Sequence, residues 1–488
     1  MPLAPRTPVL VGVGAVQQRE DDPDRAAEPL ALMVAALERA AADAGSRALL
    51  ARADSVRVPR GFWDYADPGR LIAARVGAGA VRTWLAEVGV LQTTLLGQAA
   101  ADIAAGTADV VLIAGGEARY RAAQAMRAGR EAPLTAQAGA VPDVLLRPAD
   151  EILSAAELQA GLAMPVGQYA MIENALRAAS GRTLEAHAAA VASLGAAMSR
   201  VAATNPDAWR REPLDAEAIR GARMLAFPYG RLHTSQWTVD QAAGLVLCSA
   251  ATAQALGIAR DRWVFPLAVA DANHMLPLTA RPALHRSPGF AAAGARVLER
   301  LGCGVADLRH LELYSCFPSA VEVQARELGI GLDRQLTVSG GMAFAGGPFN
   351  SFVLQALVAM ARVLRADPGS VGLVTAVSGI VTKQGVSAWS SEPPARGFCF
   401  DDVTAEAAAG LQAVAVVPRA SGDATVVSWT VFYEGDAPAR AVALCDLGDG
   451  RRTIATSADR DLAAAMTQDE FVGRRVRLDG EGAFALRA

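Results

Sequence analysis

Residues 311–349, LELYSCFPSAVEVQARELGIGLDRQLTVSGGMAFAGGPF, decide how the rest of the chain is read. Leu311 and Leu313 alternate with Glu312, the period of a short strand, and the run ends on Tyr314-Ser315-Cys316-Phe317. Pro318 suits the first position of a helix, and Val321, Ala325 and Leu328 carry helical spacing over 319–328. After a polar turn come two glycine pairs, Gly340-Gly341 and Gly346-Gly347, closed by Pro348. A second helix is expected over 350–364. Strand, polar tip, helix, glycine loop and helix together aim side chains into a cleft from rigid elements.

On the N-terminal side, apolar runs at 9–12, 54–58 and 109–116 read as strands, and 29–44, 71–76 and 91–105 as helices. The 109–116 run is almost continuously apolar, as a buried parallel strand should be. This alternation predicts a covered parallel or mixed sheet. Helical runs then dominate 122–223, clearest at 173–178 and 184–201, and read as a helical insertion. Strands at 241–249 and 264–270 are expected to complete the first unit. The second half repeats the scheme: helix 290–301, strand 308–313, helices 319–328 and 352–364, strand 371–377. Segments 99–116 and 356–379 both run apolar helix, short turn, apolar strand, small residues, which suggests an internal duplication. Beyond about residue 421, strands at 426–433, 441–447, 452–455 and 475–478 with a helix at 462–466 give the order of a small OB-type β-barrel.

The chain of 488 residues suffices for about three domains at ~150 residues each. A net charge of -4 and a pI near 5.9 argue against a dedicated nucleic-acid binder. The C-terminal region carries no lysine and eight arginines, and its acids outnumber them. The five cysteines show no close pairing, so a reduced, cytoplasmic protein is expected. The first ten residues lack an apolar stretch of signal-peptide length. The uncharged runs 241–259 and 335–361 are interrupted by glycines and polar residues and read as core, not as membrane spans. No metal-ligand spacing, Rossmann fingerprint or P-loop is present.

Four stretches, in order, carry a family resemblance. LYSCFP (313–318), GGMAFAGGP (340–348), FPYGRLHTSQWTVDQAAGLVLCS (227–249) and VTAVSGIVTKQG (374–385) resemble motifs of the thiolase superfamily. The match is nearest to the thiolase-like acetyl-CoA acetyltransferases related to sterol carrier protein thiolases. It covers roughly residues 5–420. The resemblance implies an α/β chain with a duplicated thiolase fold, five layers αβαβα, a helical loop-domain insertion and a small C-terminal β-barrel. The expected domains are 1–265 with the loop domain at about 122–225, then 266–420, then 421–488. It also implies acyl-CoA as ligand, coenzyme A entering only as part of the substrate with no other cofactor, a homodimer, and neither nucleic acid nor membrane as partner.

The departures fall on the chemistry. Thiolases place a nucleophilic cysteine at the start of the helix after the third strand, and here Gly89 and Val90 stand at about that position. The histidine of Gly-His-Pro is Gly347, the C-terminal cysteine aligns with Val377, and the residue that positions a water is Tyr314. Tyr314 therefore reads either as a cleft phenol able to donate a proton or as a buried strand-end tyrosine. Cys316 reads as a nucleophile or as an inert buried thiol. Lys383, the only lysine of the chain, follows the last core strand and is a candidate for phosphate or carbonyl binding beside the plainer surface reading. Ser378 is a hydrogen-bonding candidate. His233 and His274 are distal bases or satisfied loop histidines. Gly340, Gly341, Gly346 and Gly347 let backbone N–H groups approach a ligand, or form a tight structural loop. Three function classes follow: an acyl-CoA acyltransferase without the usual cysteine, a retro-aldol carbon–carbon lyase on a β-hydroxyacyl-CoA, and a non-catalytic acyl-CoA-binding protein.

Overall fold

The computed structural model describes residues 3–409 and 411–486; Arg487 and the first two residues, counted in the readings above, lie outside them. The first sheet is built from β1 (Pro8–Gln18), β2 (Ser55–Pro59), β3 (Arg82–Ala86), β4 (Val110–Ala118) and β5 (Val144–Leu146). A short hairpin, β6 (Met224–Ala226) and β7 (Tyr229–Gly230), precedes its last strand, β8 (Asp240–Ser249). The sheet order is β1-β8-β4-β2-β3-β5. The second sheet contains β9 (Phe265–Ala272), β10 (Leu308–Glu312), β11 (Val371–Ser378), β12 (Lys383–Ser390) and β13 (Cys399–Asp402), in the order β10-β11-β12-β9-β13.

The duplication is visible in the pairing. In the first half β1 pairs antiparallel with β8, β8 antiparallel with β4 and β4 parallel with β2; in the second β9 pairs antiparallel with β12, β12 antiparallel with β11 and β11 parallel with β10. The helices Gln92–Ala105 and Phe352–Ala366 touch strands of both sheets, and so form the central layer. Pro29–Asp43 covers the outer face of the first sheet, and Pro288–Leu301 packs on the second. The outer helix of the first half comes very close: a Cβ on Gly12 would lie 2.2 Å from the Ala40 carbonyl oxygen, so only glycine fits there. The Phe349–Ala366 segment is long and apolar enough to cross a membrane by composition, and most of it is buried between the sheets.

Two differences from the sequence reading have simple causes. The 264–270 strand, expected to complete the first unit, is β9 of the second sheet; apolar periodicity marks a strand but not its partner. β12, KQGVSAWS, gave no strand signal because it is polar, yet it is buried along its whole length between β11 and β9.

The C-terminal region forms β14 (Ala415–Val416), β15 (Ser421–Glu434), β16 (Ala437–Asp446), β17 (Arg451–Ser457), β18 (Arg475–Asp479) and β19 (Phe484–Leu486), with a helix at Arg460–Met466. Neighbours run β17-β16-β15-β18-β19, and a bridge between Thr456 and Ala483 brings the far end back beside β17. Five strands thus close in the order of an OB-type barrel. The barrel leans on the helical insertion. The Ser428 hydroxyl donates to the Met171 carbonyl (2.6 Å), Phe227 N–H to the Val431 carbonyl (2.8 Å), and Asn174 to the Trp429 carbonyl (2.9 Å). Trp429 is fully buried against Phe227 and Phe471 and belongs to the barrel core. Arg475 and Arg477 both pair with Asp423, and Arg460 with Glu434.

Candidate functional site

β10 delivers Tyr314 and Cys316 to the edge of the second sheet. The backbone there is locked before any side chain is considered. Tyr314 N–H donates to Thr375 Oγ1 (2.8 Å) and to Gln324 Oε1 (3.2 Å), and Gln324 Nε2 donates back to the Tyr314 carbonyl (2.7 Å). Phe317 is extended, Pro318 opens the helix, and the chain turns away from the cleft. Glu312 fixes the other side of the tip. Its buried carboxylate accepts from the N–H groups of Val338 (2.8 Å) and Ser339 (2.7 Å) and from the hydroxyls of Thr337 and Ser339 (2.9 Å each). Burial raises this carboxyl to about 7 against those hydrogen bonds.

The Tyr314 hydroxyl has no hydrogen-bond partner among the described residues, and its ring meets the Phe352 edge at 5.8 Å. Burial, with the nearby Cys316 second, raises the phenol well above its ordinary range, so it stays protonated and able to donate. Burial pushes the Cys316 thiol up to about 12, which leaves almost no thiolate at neutral pH. Two residues that sequence reasoning passed over complete the cluster. Tyr169, from the insertion helix Pro165–Ala179, interacts with Cys316 and stacks on Phe317 at 4.4 Å. Arg281, 4% exposed, lies within electrostatic reach of Tyr169. Neither carries a local signal: Tyr169 sits on the packed face of a helix, and Arg281 in an irregular connection.

Ser378 is half-buried at the end of β11, in register with Lys383. The turn between them places Ile380 and Val381 at φ 55° and 67°, a region β-branched residues avoid. Gln384 and Ser287 hold it by donating to the Val381 carbonyl (2.7 and 3.2 Å). Lys383 is buried, and its Nζ donates to the Gly89 carbonyl (3.1 Å). It therefore reaches the position where the resemblance puts the nucleophile. Desolvation lowers its ammonium below the usual value. Next to it the Gln92–Ala105 helix starts with Thr93 and Thr94 donating to buried Asp271 (2.5 and 2.6 Å), whose carboxyl burial raises to about 7.

The glycine loop faces protein. A Cβ on Gly340 would strike Ala202, on Gly346 Gln241, and on Gly347 Ser235. The N–H groups of Gly340, Gly341 and Gly347 donate to Thr337, Ser339 and Gln236. His233 and His274 are not brought together. His233 is buried beside Tyr229, its Nδ1 accepts from Gly230 N–H (3.2 Å), and desolvation lowers it. It lines a 740 Å³ cavity between the insertion and the barrel, together with His187, Arg177 and Glu470. His274 lines a separate 90 Å³ cavity beside Arg281, Val381 and Thr382. Glu173, His187 and Glu322 offer ligand atoms within 4.8 Å of one another, a grouping with no sequence spacing to announce it. Arg182 already reaches both Glu322 (3.3 Å) and His187 (3.4 Å), so a guanidinium balances that cluster.

Residues 404–483 match the family described as the thiolase-like protein type 1 additional C-terminal domain. The crystal structure of a monomeric SCP2-thiolase-like protein type 1 from Mycobacterium smegmatis superposes with a TM-score of 0.83 at 27% identity, covering 99% of this chain and 100% of that one. The Ltp2–ChsH2(DUF35) aldolase gives 0.61 at 21% identity over 80% of this chain and 99% of that one. The dimeric peroxisomal thiolase of Saccharomyces cerevisiae gives 0.57 at 17% over 80% and 99%. No curated protein matches by sequence.

Proposed function

This chain belongs to the thiolase superfamily and ends in the additional domain of type 1 thiolase-like proteins, and from that premise we propose that it binds acyl-CoA thioesters and polarises their carbonyl without forming a covalent acyl-enzyme. The observation that carries the reading is the pairing of a missing nucleophile with a free acid. Lys383 meets Gly89 where the resemblance puts the thiolase cysteine, while the Tyr314 hydroxyl stays protonated and without a hydrogen-bond partner among the described residues. A thiol held at about 12 cannot replace the missing thiolate. A phenol can donate to a thioester oxygen that gains charge when its α-carbon becomes enolate-like.

That geometry supports a carbon–carbon lyase as the second reading. Retro-aldol cleavage of a β-hydroxyacyl-CoA needs such a donor and no acyl-enzyme. The test is twofold. Incubation with acetyl-CoA or acetoacetyl-CoA should leave the intact mass unchanged, while a series of acyl-CoAs should bind. Acylation mapping to Cys316 would restore acyl transfer, and failure of every acyl-CoA to bind would end the reading.

On assembly the relatives divide between a monomer and a dimer. β5 pairs with β3 and covers three residues of the outer edge of the first sheet, which supports a monomer over the dimer the resemblance implies. Light scattering on the purified protein separates the two.

A further inference from the structure

Arg281 is a buried cation whose partners are not anions. Nε donates to the Leu276 carbonyl (3.1 Å) and Nη2 to the Gly379 carbonyl at a long 3.3 Å; Nη1 has no acceptor among the described residues. Among the described residues no carboxylate forms an ion pair with it. Glu157 exerts a field from a distance, but its oxygens accept from Thr279 and Ser154. Burial accordingly pushes the guanidinium down to about 10. A charge taken out of water needs a counter-charge, and an unpaired one is costly to keep.

The cavity this side chain lines has a volume of 90 Å³. That is room for roughly three waters at ~30 Å³ each, or a carboxylate with one or two carbons. Its other lining side chains with polar heads near Arg281 include Arg286, paired with Glu327, and half-buried His274. One wall is formed by Val381 and Thr382 of the strained turn after β11. Tyr169 feels both Arg281 and Cys316. The barrel closes the back: Arg452 donates to the carbonyls of Arg281 (2.6 Å) and Pro282 (3.1 Å).

The geometry points to a carboxylate seat: Arg281 and its cavity receive the far end of a short acyl group, so the acyl-CoA taken by this protein is one whose acyl chain ends in a carboxylate. The inference rests on the acyl-CoA reading and names its substrate class. Guanidinium and carboxylate match in shape as well as in charge, and the incoming anion supplies the counter-charge the fold withholds.

Succinyl-CoA and butyryl-CoA have acyl chains of equal length and differ in the terminal carboxylate, so their Kd values on the unaltered protein decide the matter. Succinyl-CoA should bind about tenfold tighter or better. Arg281→Met should abolish the difference, bringing the succinyl-CoA affinity down to that of butyryl-CoA. Equal affinities on the unaltered protein, or a preference that survives Arg281→Met, overturn the seat and leave the acyl-CoA reading standing. Free succinate and inorganic phosphate, each titrated alone in a thermal-shift assay, separate the remaining cases. If neither thioester binds but succinate stabilises the unaltered protein and not the variant, the seat stands and the acyl-CoA reading falls. Stabilisation by phosphate and not by succinate overturns the seat. Should Arg281→Met fail to fold, the thioester pair on the unaltered protein still gives the answer.

Discussion

The two halves of the molecule share a strand order and end in different chemistry. At the tip of the first half the charged and hydroxyl groups are engaged within the chain, while Gln92 Oε1 and Asn350 Nδ2 are left without a partner among the described residues. The Lys383 amine lies on the Gly89 carbonyl, Gln92 donates to Asn350 (2.6 and 2.8 Å), and Thr93 and Thr94 close on Asp271. At the tip of the second half a carboxylate, Glu312, organises the backbone, while the Tyr314 hydroxyl, and nearby Nη1 of Arg281, have no hydrogen-bond partner among the described residues. A duplicated fold supplies two equivalent mouths. Where polar groups are left unpaired decides which of them can act on a ligand.

The largest effect should come from the scaffold of the second tip. Glu312→Ala removes the acceptor of a part-buried N–H (Val338), a buried N–H (Ser339) and two buried hydroxyls, at a cost of about 3 kcal/mol in urea unfolding. A loss under about 1 kcal/mol would mean that the carboxylate does not organise the tip.

Next is chemistry without scaffold. Tyr314→Phe should leave the melting temperature unchanged, because its backbone holds the tip, while turnover of a β-hydroxyacyl-CoA falls about 10²-fold. Equal turnover would reduce the phenol to packing against Phe352.

The first tip should betray itself through pH. Asp271 has a folded-state value near 7 against an ordinary 3.8, so the folded state binds the proton more tightly than the unfolded one. Its contribution is fully present below about 3.8 and is lost as pH rises through about 7. Asp271→Asn should therefore flatten part of the decline in Tm between those pH values. An unchanged profile would assign the decline to other raised carboxyls, such as Glu312.

The smallest effect separates the two tips most sharply. Lys383→Met removes one hydrogen bond and one desolvated charge, so stability should change by within about 1 kcal/mol and turnover by less than about tenfold. A loss as large as that of Tyr314→Phe would make the first tip catalytic and erase the contrast.

Local pattern determined much of this protein. Apolar periodicity places the strands β1, β2, β4, β8, β10 and β11 and the helices between them, because a residue's face in a strand or helix follows from spacing alone. The 311–349 stretch likewise located Tyr314 and Cys316 at a strand end ahead of a helix beginning at Pro318. The solitary Lys383 was conspicuous by count, but its contact with Gly89 spans the whole length between two halves. Only the tertiary structure decided that β9 joins the second sheet, that polar β12 is buried, that the glycine loop faces its own protein, and that Tyr169 comes within reach of both Cys316 and Arg281. The physical reason is common to all four. Hydrogen-bond partners, burial of a charge and the absence of a counter-ion are properties of what the chain brings close, and sequence spacing carries no record of them.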